Sequence, residues 1–122
     1  MKLSMRSRGF SLVEVLVALC ILSIALLALA GLMVTTTRNN SFGSNMTEAA
    51  TFAQDRIEEL KVSSWGDVVS GADARTGATG ILYTRTWTVT DNANFTQRWV
   101  NIRVSWNDLA RHSINFLSVI QP

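Results

Sequence analysis

The sequence has few of the residues that build disulfide-stapled or metal-bound proteins. Its 122 residues include one cysteine, Cys20, one histidine, His112, and one proline. A single cysteine cannot form an intrachain disulfide, and one cysteine with one histidine is too few for a Cys/His metal site. Cys20 lies within an apolar run, and we interpret it as a small apolar filler. The chain is therefore expected to fold without disulfide bonds or a cysteine-based metal centre.

Catalytic motifs are also scarce. No spacing typical of a Ser/His/Asp triad, a metal-ligand set or a phosphate-binding loop occurs. His112 follows Arg111 in a predicted strand, and we interpret it as a core or surface residue. The stretch 91–94, DNAN, has oxygen ligands but lacks the glycine and distal glutamate of a calcium loop, so calcium is a minor alternative. We expect no enzyme activity and no cofactor.

Positive charge outside the N-terminus is balanced by negative charge. Lys2, Arg6 and Arg8 open the chain, whereas beyond Arg38 there are seven Lys or Arg against eight Asp or Glu. Residues 39–122 therefore have no basic stripe of the kind that nucleic-acid-binding proteins carry, and no nucleic acid partner is expected. A minor alternative of DNA binding rests on isolated arginines near tryptophans: Arg85, Arg98 and Arg103, with Trp87 and Trp99.

One long apolar run dominates the N-terminal third. Val15–Val34 holds twenty residues without a charged side chain, and about 20 such residues span a bilayer core of about 30 Å. The basic tail ahead of the run predicts that residues 1–9 stay in the cytoplasm and that residues 39–122 lie across the membrane. This pattern fits a removable secretory signal, with Ala28–Ala30 as a small-x-small cleavage site, or a plain membrane anchor.

Glu14 fits neither of these interpretations. A carboxylate at the membrane centre costs roughly 2.5–3.5 kcal/mol, and less near a helix end, but neither a signal nor an anchor has a use for it. The stretch Gly9-Phe10-Ser11-Leu12-Val13-Glu14 resembles the type IV prepilin signature, which type II secretion pseudopilins share. The resemblance implies that a membrane aspartyl peptidase cleaves between Gly9 and Phe10 and methylates the new amino group of Phe10. The leader would then be residues 1–9.

The resemblance also gives Glu14 a role in assembly. Cleavage would place a positive amine on Phe10, one helical turn from the Glu14 carboxylate. The family account has this glutamate meet the amine of a neighbouring subunit, and a paired buried carboxylate is tolerated where an unpaired one is not. Glu14 would thereby set the axial register of each incoming subunit.

The remaining sequence predicts a helix followed by strands. We assign residues 10–34 to a transmembrane and filament-core helix, 35–62 to its continuation and 63–122 to a globular head, with 63–80 as a loop. Over 35–44 we expect the helix to bend or loosen, because helix propensity there is weak. Residues at a 3-to-4 spacing predict one apolar stripe on the second half of the helix: Met46, Ala49, Ala53, Ile57 and Leu60.

Period-two alternation predicts strands at 81–90, 98–106 and 111–120, with turns at 91–96 and 107–110. Val100, Ile102, Val104 and Trp106 are expected to face one way. The fold class is therefore α+β, in which the long N-terminal helix packs on a small antiparallel sheet of about three strands. The prepilin resemblance implies the same architecture.

Two further stretches indicate which kind of pilin the chain resembles. ATFAQDRIEELK, at 50–61, and VSWND, at 104–108, are similar to the minor pilin V family, also called type IV pilus modification proteins. This resemblance implies a non-enzymatic subunit that primes or modifies pilus assembly. The alternatives are an I-type minor pseudopilin of the type II secretion pseudopilus tip and, in another class, a membrane-anchored periplasmic binding module.

The resemblance further implies partners and a location. The partners would be the prepilin peptidase/N-methyltransferase, other major and minor pilins or pseudopilins, the inner-membrane assembly platform and membrane lipid. The chain would cross the inner membrane once, with its head in the periplasm, before it enters a pilus or pseudopilus.

Overall fold

The computed structural model describes residues 9–122, so eight of the nine residues of the predicted leader lie outside the described part of the chain. Two compact units divide the molecule; the first ends at Ser41 and the second comprises Phe42–Pro122. The elements in chain order are helix α1 at Leu12–Val62, a one-turn 3-10 helix at Trp65–Asp67, and strands β1 at Gly71–Thr76, β2 at Leu82–Asp91, β3 at Arg98–Asn107 and β4 at Arg111–Ile120.

Helix α1 is continuous over its 51 residues. The expected loosening of the helix over 35–44 is therefore wrong. The hydroxyls of Thr35, Thr36 and Thr37 donate to the carbonyl oxygens four residues earlier, at 3.1, 2.9 and 2.9 Å. Each hydroxyl thus finds its partner within the helix, so the polar interval need not leave the helical conformation.

The four strands form one antiparallel sheet in the order β1-β2-β3-β4. Tyr83 of β2 lies opposite Trp106 of β3, and Ile102 of β3 lies opposite Phe116 of β4. The two turns between β2, β3 and β4 fall where the sequence predicts them. A meander of this kind needs only short connections between neighbouring strands.

The prediction of a loop over 63–80 is wrong at Gly71–Thr76, which forms β1, so the sheet has four strands rather than about three. The segment GADART contains one β-branched residue and no aromatic one, so it has no period-two signal. Its glycine is required by packing. A Cβ at Gly71 would lie 2.5 Å from Cζ2 of Trp87, the residue opposite it on β2.

The core of the second unit lies between the last third of α1 and one face of the sheet. The predicted inward residues of β3 are all buried: Val100, Ile102, Val104 and Trp106. The predicted helical stripe is partly wrong, because Met46 is 41% exposed whereas Phe52 is 5% exposed. Asn45, Ala49, Phe52, Ala53 and Leu60 are buried on α1. They follow the i, i+4, i+7, i+8 spacing of a single helix face.

Candidate functional site

The candidate processing site is the segment Gly9–Glu14, where the chain enters α1. Gly9, Phe10 and Ser11 precede the first helical residue and are exposed, and the side chain of Phe10 is 81% exposed. Apart from Gly9 itself and its neighbours in the chain, no heavy atom of the described residues lies within 4 Å of the position that a Cβ at Gly9 would take. The Gly9–Phe10 peptide bond is therefore accessible from the surrounding space, which a peptidase requires.

Ser11 caps the helix. Its hydroxyl oxygen accepts a hydrogen bond from the backbone N–H of Glu14 at 3.2 Å, and its carbonyl oxygen accepts one from Val15 at 3.2 Å. This is the N-cap half of a capping box, in which serine is followed three residues later by glutamate. This role of Ser11 is not among the sequence predictions, although the Ser-x-x-Glu spacing ahead of an apolar run is its known signal. Ser11 thus starts the helix directly after Phe10.

Glu14 lies in the first turn of α1, and its side chain is exposed. The unpaired N–H groups at a helix N-terminus carry partial positive charge, so a carboxylate in the first turn is favoured there. Among residues 9–122, the salt bridges of the structure do not include Glu14. Gly9 and Phe10 directly precede α1 and Glu14 lies in its first turn, so the three predicted residues all lie near the start of the helix.

The apolar segment that follows is exposed in the structure. The large apolar side chains from Val15 to Val34 are exposed, between 45% and 74%. Within residues 9–122, α1 is the one helix long and apolar enough to cross a membrane, as judged by length and composition. A helix with this much exposed apolar surface needs lipid or other helices around it.

Comparison with protein-family models identifies a known motif at this site. Residues 4–30 match the prokaryotic N-terminal methylation motif, so the match includes Gly9, Phe10 and Glu14. Comparisons with curated proteins and with solved structures find no match.

The site and the fold together define a class. The chain carries a prepilin-type N-terminal methylation signal and has a pilin-like fold, and pilin-like proteins are structural subunits rather than enzymes. The motif implies processing by a prepilin peptidase, and the apolar helix behind it indicates anchoring in the inner membrane before pilus assembly. The α+β fold, with a long helix packed on an antiparallel sheet, is pilin-like as well.

His112 takes part in a polar cluster of the head. Its Nε2 lies 3.0 Å from Oδ1 of Asp108, and Oδ2 of Asp108 accepts a hydrogen bond from the buried Asn45 at 3.2 Å. The backbone N–H of Ala110 and then that of Leu109, with smaller contributions from Asn45 and His112, hold the pKa of Asp108 below its usual value. This cluster ties the β3–β4 turn to α1.

Two of the arginines considered for DNA binding face the core of the head. Arg85 is 5% exposed; it donates to both carboxylate oxygens of Asp73 and, at 2.7 Å, to the carbonyl oxygen of Phe52. Arg98 donates to Asp91 at 2.7 Å. Neither guanidinium group is free to contact phosphate, so these residues lend no support to the DNA alternative.

The stretch considered for calcium binding forms the β2–β3 turn. Oδ1 of Asn92 accepts hydrogen bonds from the backbone N–H groups of Thr96, at 2.8 Å, and Gln97, at 3.1 Å. The side chain therefore closes the turn in the manner typical of asparagine.

Proposed function

We propose that the protein is a minor pilin, a non-enzymatic subunit that helps to prime or modify assembly of a type IV pilus. One observation carries the proposal. The methylation motif matched at residues 4–30 covers the expected junction Gly9–Phe10, and residues 9 and 10 are exposed immediately before α1. An accessible junction and an uninterrupted apolar helix behind it are what a processed, lipid-anchored filament subunit requires.

The proposed processing consists of two reactions by the prepilin peptidase. The peptidase hydrolyses the Gly9–Phe10 bond, which releases residues 1–9 and leaves a free amine on Phe10. The same enzyme then methylates this amine. Ser11 would support the first reaction indirectly. As the N-cap it fixes the first helical residue at Leu12, so the Gly9–Phe10 bond stays outside the helix.

Glu14 is proposed to pair with the N-terminal amine of a neighbouring subunit. A carboxylate among packed apolar helices is strongly destabilising unless a cation neutralises it, so the pairing would favour one axial position over others. The helix dipole at the start of α1 favours the same carboxylate while the subunit is still alone in the membrane.

The minor pilin V assignment rests on residues 50–61, in the part of α1 that packs on the sheet, and on residues 104–108, at the end of β3 and the start of the β3–β4 turn. The I-type pseudopilin of type II secretion is the second candidate, because GFSLVEVLVAL at 9–19 is common to both groups. Deletion of the gene distinguishes them: loss of pili supports the minor pilin, and loss of protein secretion supports the pseudopilin. A plain membrane-anchored binding module would affect neither machine.

The first test is the mass of the N-terminal peptide of the protein purified from membranes. The expected chain starts at N-methylated Phe10. A chain that starts at Gly31 would mean that the apolar segment is a removed secretory signal. A chain that starts at Met1 would mean a plain anchor and would overturn the proposal.

The second test concerns Glu14. We expect Glu14→Ala to be inserted and cleaved normally but to impair assembly, because the replacement removes the partner of the neighbouring amine. Ser23→Ala is the matched control; Ser23 lies in the same helix, and its hydroxyl bonds to the carbonyl oxygen of Leu19 at 2.7 Å. Normal piliation or secretion with Glu14→Ala would contradict the register role.

A further inference from the structure

The face of the sheet that points away from α1 is here called the outer face. Unlike the rest of the head, it carries no acidic side chain. Its side chains alternate along β2, β3 and β4 with the buried ones. They are mainly threonine on β2 and serine or asparagine on β3 and β4. The outer face has no carboxylate, since the Asp and Glu residues of 42–122 lie on α1, in connections, or on strand positions that face the core.

One end of the outer face carries a contiguous apolar patch. Trp99, Leu117 and Val119 are 43%, 65% and 38% exposed. Trp99 lies directly opposite Val119 across β3 and β4, and Leu117 is the next residue of β4 on the same face. Side chains in these positions lie within contact reach of one another, so the three form one patch rather than scattered apolar residues.

The outer face also holds arginines that lack a carboxylate partner. Residues 42–122 contain six arginines, and four of them pair with Asp or Glu: Arg56, Arg75, Arg85 and Arg98. Within residues 9–122 the other two, Arg103 and Arg111, form no salt bridge, and both lie on the outer face. The guanidinium of Arg103 donates only a long hydrogen bond, 3.3 Å, to the hydroxyl of Ser113.

We propose that the outer face is a docking surface for a second filament subunit, whose contacting surface presents a carboxylate to Arg103 and an apolar group to the Trp99 patch. Protein interfaces are depleted in acidic residues and enriched in tryptophan and arginine, which supply most of the binding energy. The threonine, serine and asparagine side chains around them supply hydrogen-bonding groups. The partner's identity as a filament subunit rests on the proposed function; the position of the surface does not.

Other occupants fit the outer face less well. Two cations are few for nucleic acid, where a typical protein makes about 6–10 phosphate contacts. They are also few for an anionic lipid surface, where polybasic segments of about 4–8 Lys or Arg are typical. A second copy of the chain would have to offer an exposed carboxylate from outside its own outer face, such as Glu58, Asp67 or Asp91, and an adduct between two copies would identify it.

The test uses the full-length protein in its native membranes, with a photocrosslinking amino acid at Asn101. Asn101 is exposed on the outer face, opposite Leu117. The matched control carries the same amino acid at Glu58 on α1. We expect an adduct from position 101, and none from position 58, with a different protein that itself carries an N-terminal methylation motif.

Charge variants show whether the adduct depends on the proposed contact. Arg103→Glu is expected to reduce its yield by roughly tenfold, whereas Arg103→Lys retains most of it. Lys61→Glu, a charge reversal on α1, should leave the yield unchanged. Trp99→Ala should also reduce the yield, and an unchanged melting temperature in each variant excludes unfolding as the cause.

Four outcomes would overturn the docking surface: no protein adduct from position 101, an adduct with a second copy or with lipid alone, equal adducts from positions 101 and 58, or a yield that Arg103→Glu does not change. The mass of the N-terminal peptide from the same sample distinguishes failure of the docking surface from failure of the minor pilin proposal. A methylated Phe10 without an adduct overturns the docking surface alone. An Arg103-dependent adduct from a chain that starts at Met1 supports the surface and overturns the minor pilin.

Discussion

Arg85 shows how a single charged residue is accommodated inside a small head. Its guanidinium lies over the ring of Phe52, 3.9 Å from the centroid, and 5.5 Å from that of Trp87. Asp73 neutralises it from β1. A buried guanidinium is tolerated when its charge is paired and its donors are bonded, and here both conditions are met. The pair also fixes β1 to β2, since Asp73 lies opposite Arg85 in the sheet.

We therefore predict that Asp73→Asn lowers the free energy of unfolding of the head by about 1–3 kcal/mol, because it leaves a buried cation without its carboxylate. This loss in free energy of unfolding is smaller than for a fully buried ion pair because the Asp73 side chain is 40% exposed. Urea denaturation measures it. Asp55→Asn is the control; its 3.4 Å pair with Arg75 is about half exposed on both sides and should contribute less than about 0.5 kcal/mol. Equal losses in the two variants would contradict this account.

Tyr83 makes the stability of the head sensitive to alkaline pH. The residue is fully buried, and its hydroxyl donates to Oε2 of Glu48 at 3.0 Å. Burial first, and then the hydrogen bond and the negative charge of Glu48, raise the pKa of Tyr83 from 10.0 to about 12. The folded state thus favours the protonated form, so this stabilisation is complete below pH 10 and is lost as the pH rises from 10 towards 12.

We predict that Tyr83→Phe removes this alkaline loss and lowers stability at neutral pH by about 1 kcal/mol, the contribution of one hydrogen bond. Unfolding free energies of both proteins measured up to about pH 11 test the prediction, since ionisation of Tyr83 begins in that range. The chain has one tyrosine, so no other phenol contributes to the difference. If the variant declines with pH as steeply as the parent, Tyr83 is not the group responsible.

Among the structural elements, α1 has two parts with different surroundings. Its apolar part, Val15–Val34, is of the kind that crosses a membrane, and its last third packs on the sheet. Its N-terminus is defined by Ser11, which satisfies one of the amide groups that a helix start leaves unpaired. Local hydrogen bonds at Ser11 therefore decide where the helix begins.

We predict that Ser11→Ala in the full-length chain frays the first turn of α1. Loss of an N-cap costs about 1 kcal/mol, so amide hydrogen exchange at Glu14 should become about fivefold faster in detergent micelles. Ser23→Ala, in mid-helix, should leave that exchange rate unchanged. An unaltered rate in Ser11→Ala would show that the cap does not hold the helix start.

Elements with a strong periodic pattern could be predicted from the sequence. The alternation of Val100, Ile102, Val104 and Trp106 predicts β3 and its buried face correctly. β1 could not be predicted, because GADART lacks apolar alternation and the close approach of Trp87 to Gly71 is visible only in the structure. The site at Gly9, Phe10 and Glu14 is local in sequence, so a motif finds it. The outer-face patch joins Trp99 to Val119 through the register of two strands, which only the structure supplies.

At the scale of the whole molecule, processing would change the net charge. The chain has 11 Lys or Arg and 9 Asp or Glu. Removal of residues 1–9 takes away Lys2, Arg6 and Arg8, so the side-chain charge falls from +2 to 8 − 9 = −1. The cations that hold the tail in the cytoplasm would leave with the leader, and the mature subunit would be slightly acidic.

The boundary at Ser41/Phe42 leads to the last prediction, that residues 42–122 fold without the membrane segment. This part contains both layers of the core, with Ala49, Phe52, Ala53 and Leu60 of α1 packed on the sheet. A domain of this size is expected to unfold cooperatively with a free energy of about 4–12 kcal/mol. Urea denaturation followed by tryptophan fluorescence measures it, since all four tryptophans lie beyond Phe42.

The matched fragment is 63–122, which keeps every strand but lacks the helical layer. Without α1 the apolar face of the sheet would be exposed to water, and Arg85 would lose the Phe52 carbonyl and ring that contact it. A single sheet with one uncovered apolar face has no second layer to bury it, so this fragment should aggregate or stay unfolded. If 63–122 unfolded as cooperatively as 42–122, the sheet would fold without the helix, and the prediction would be wrong. The expected contrast would instead show that the last third of α1 is half of the head's core, so that the helix which anchors the subunit in the membrane also folds its head.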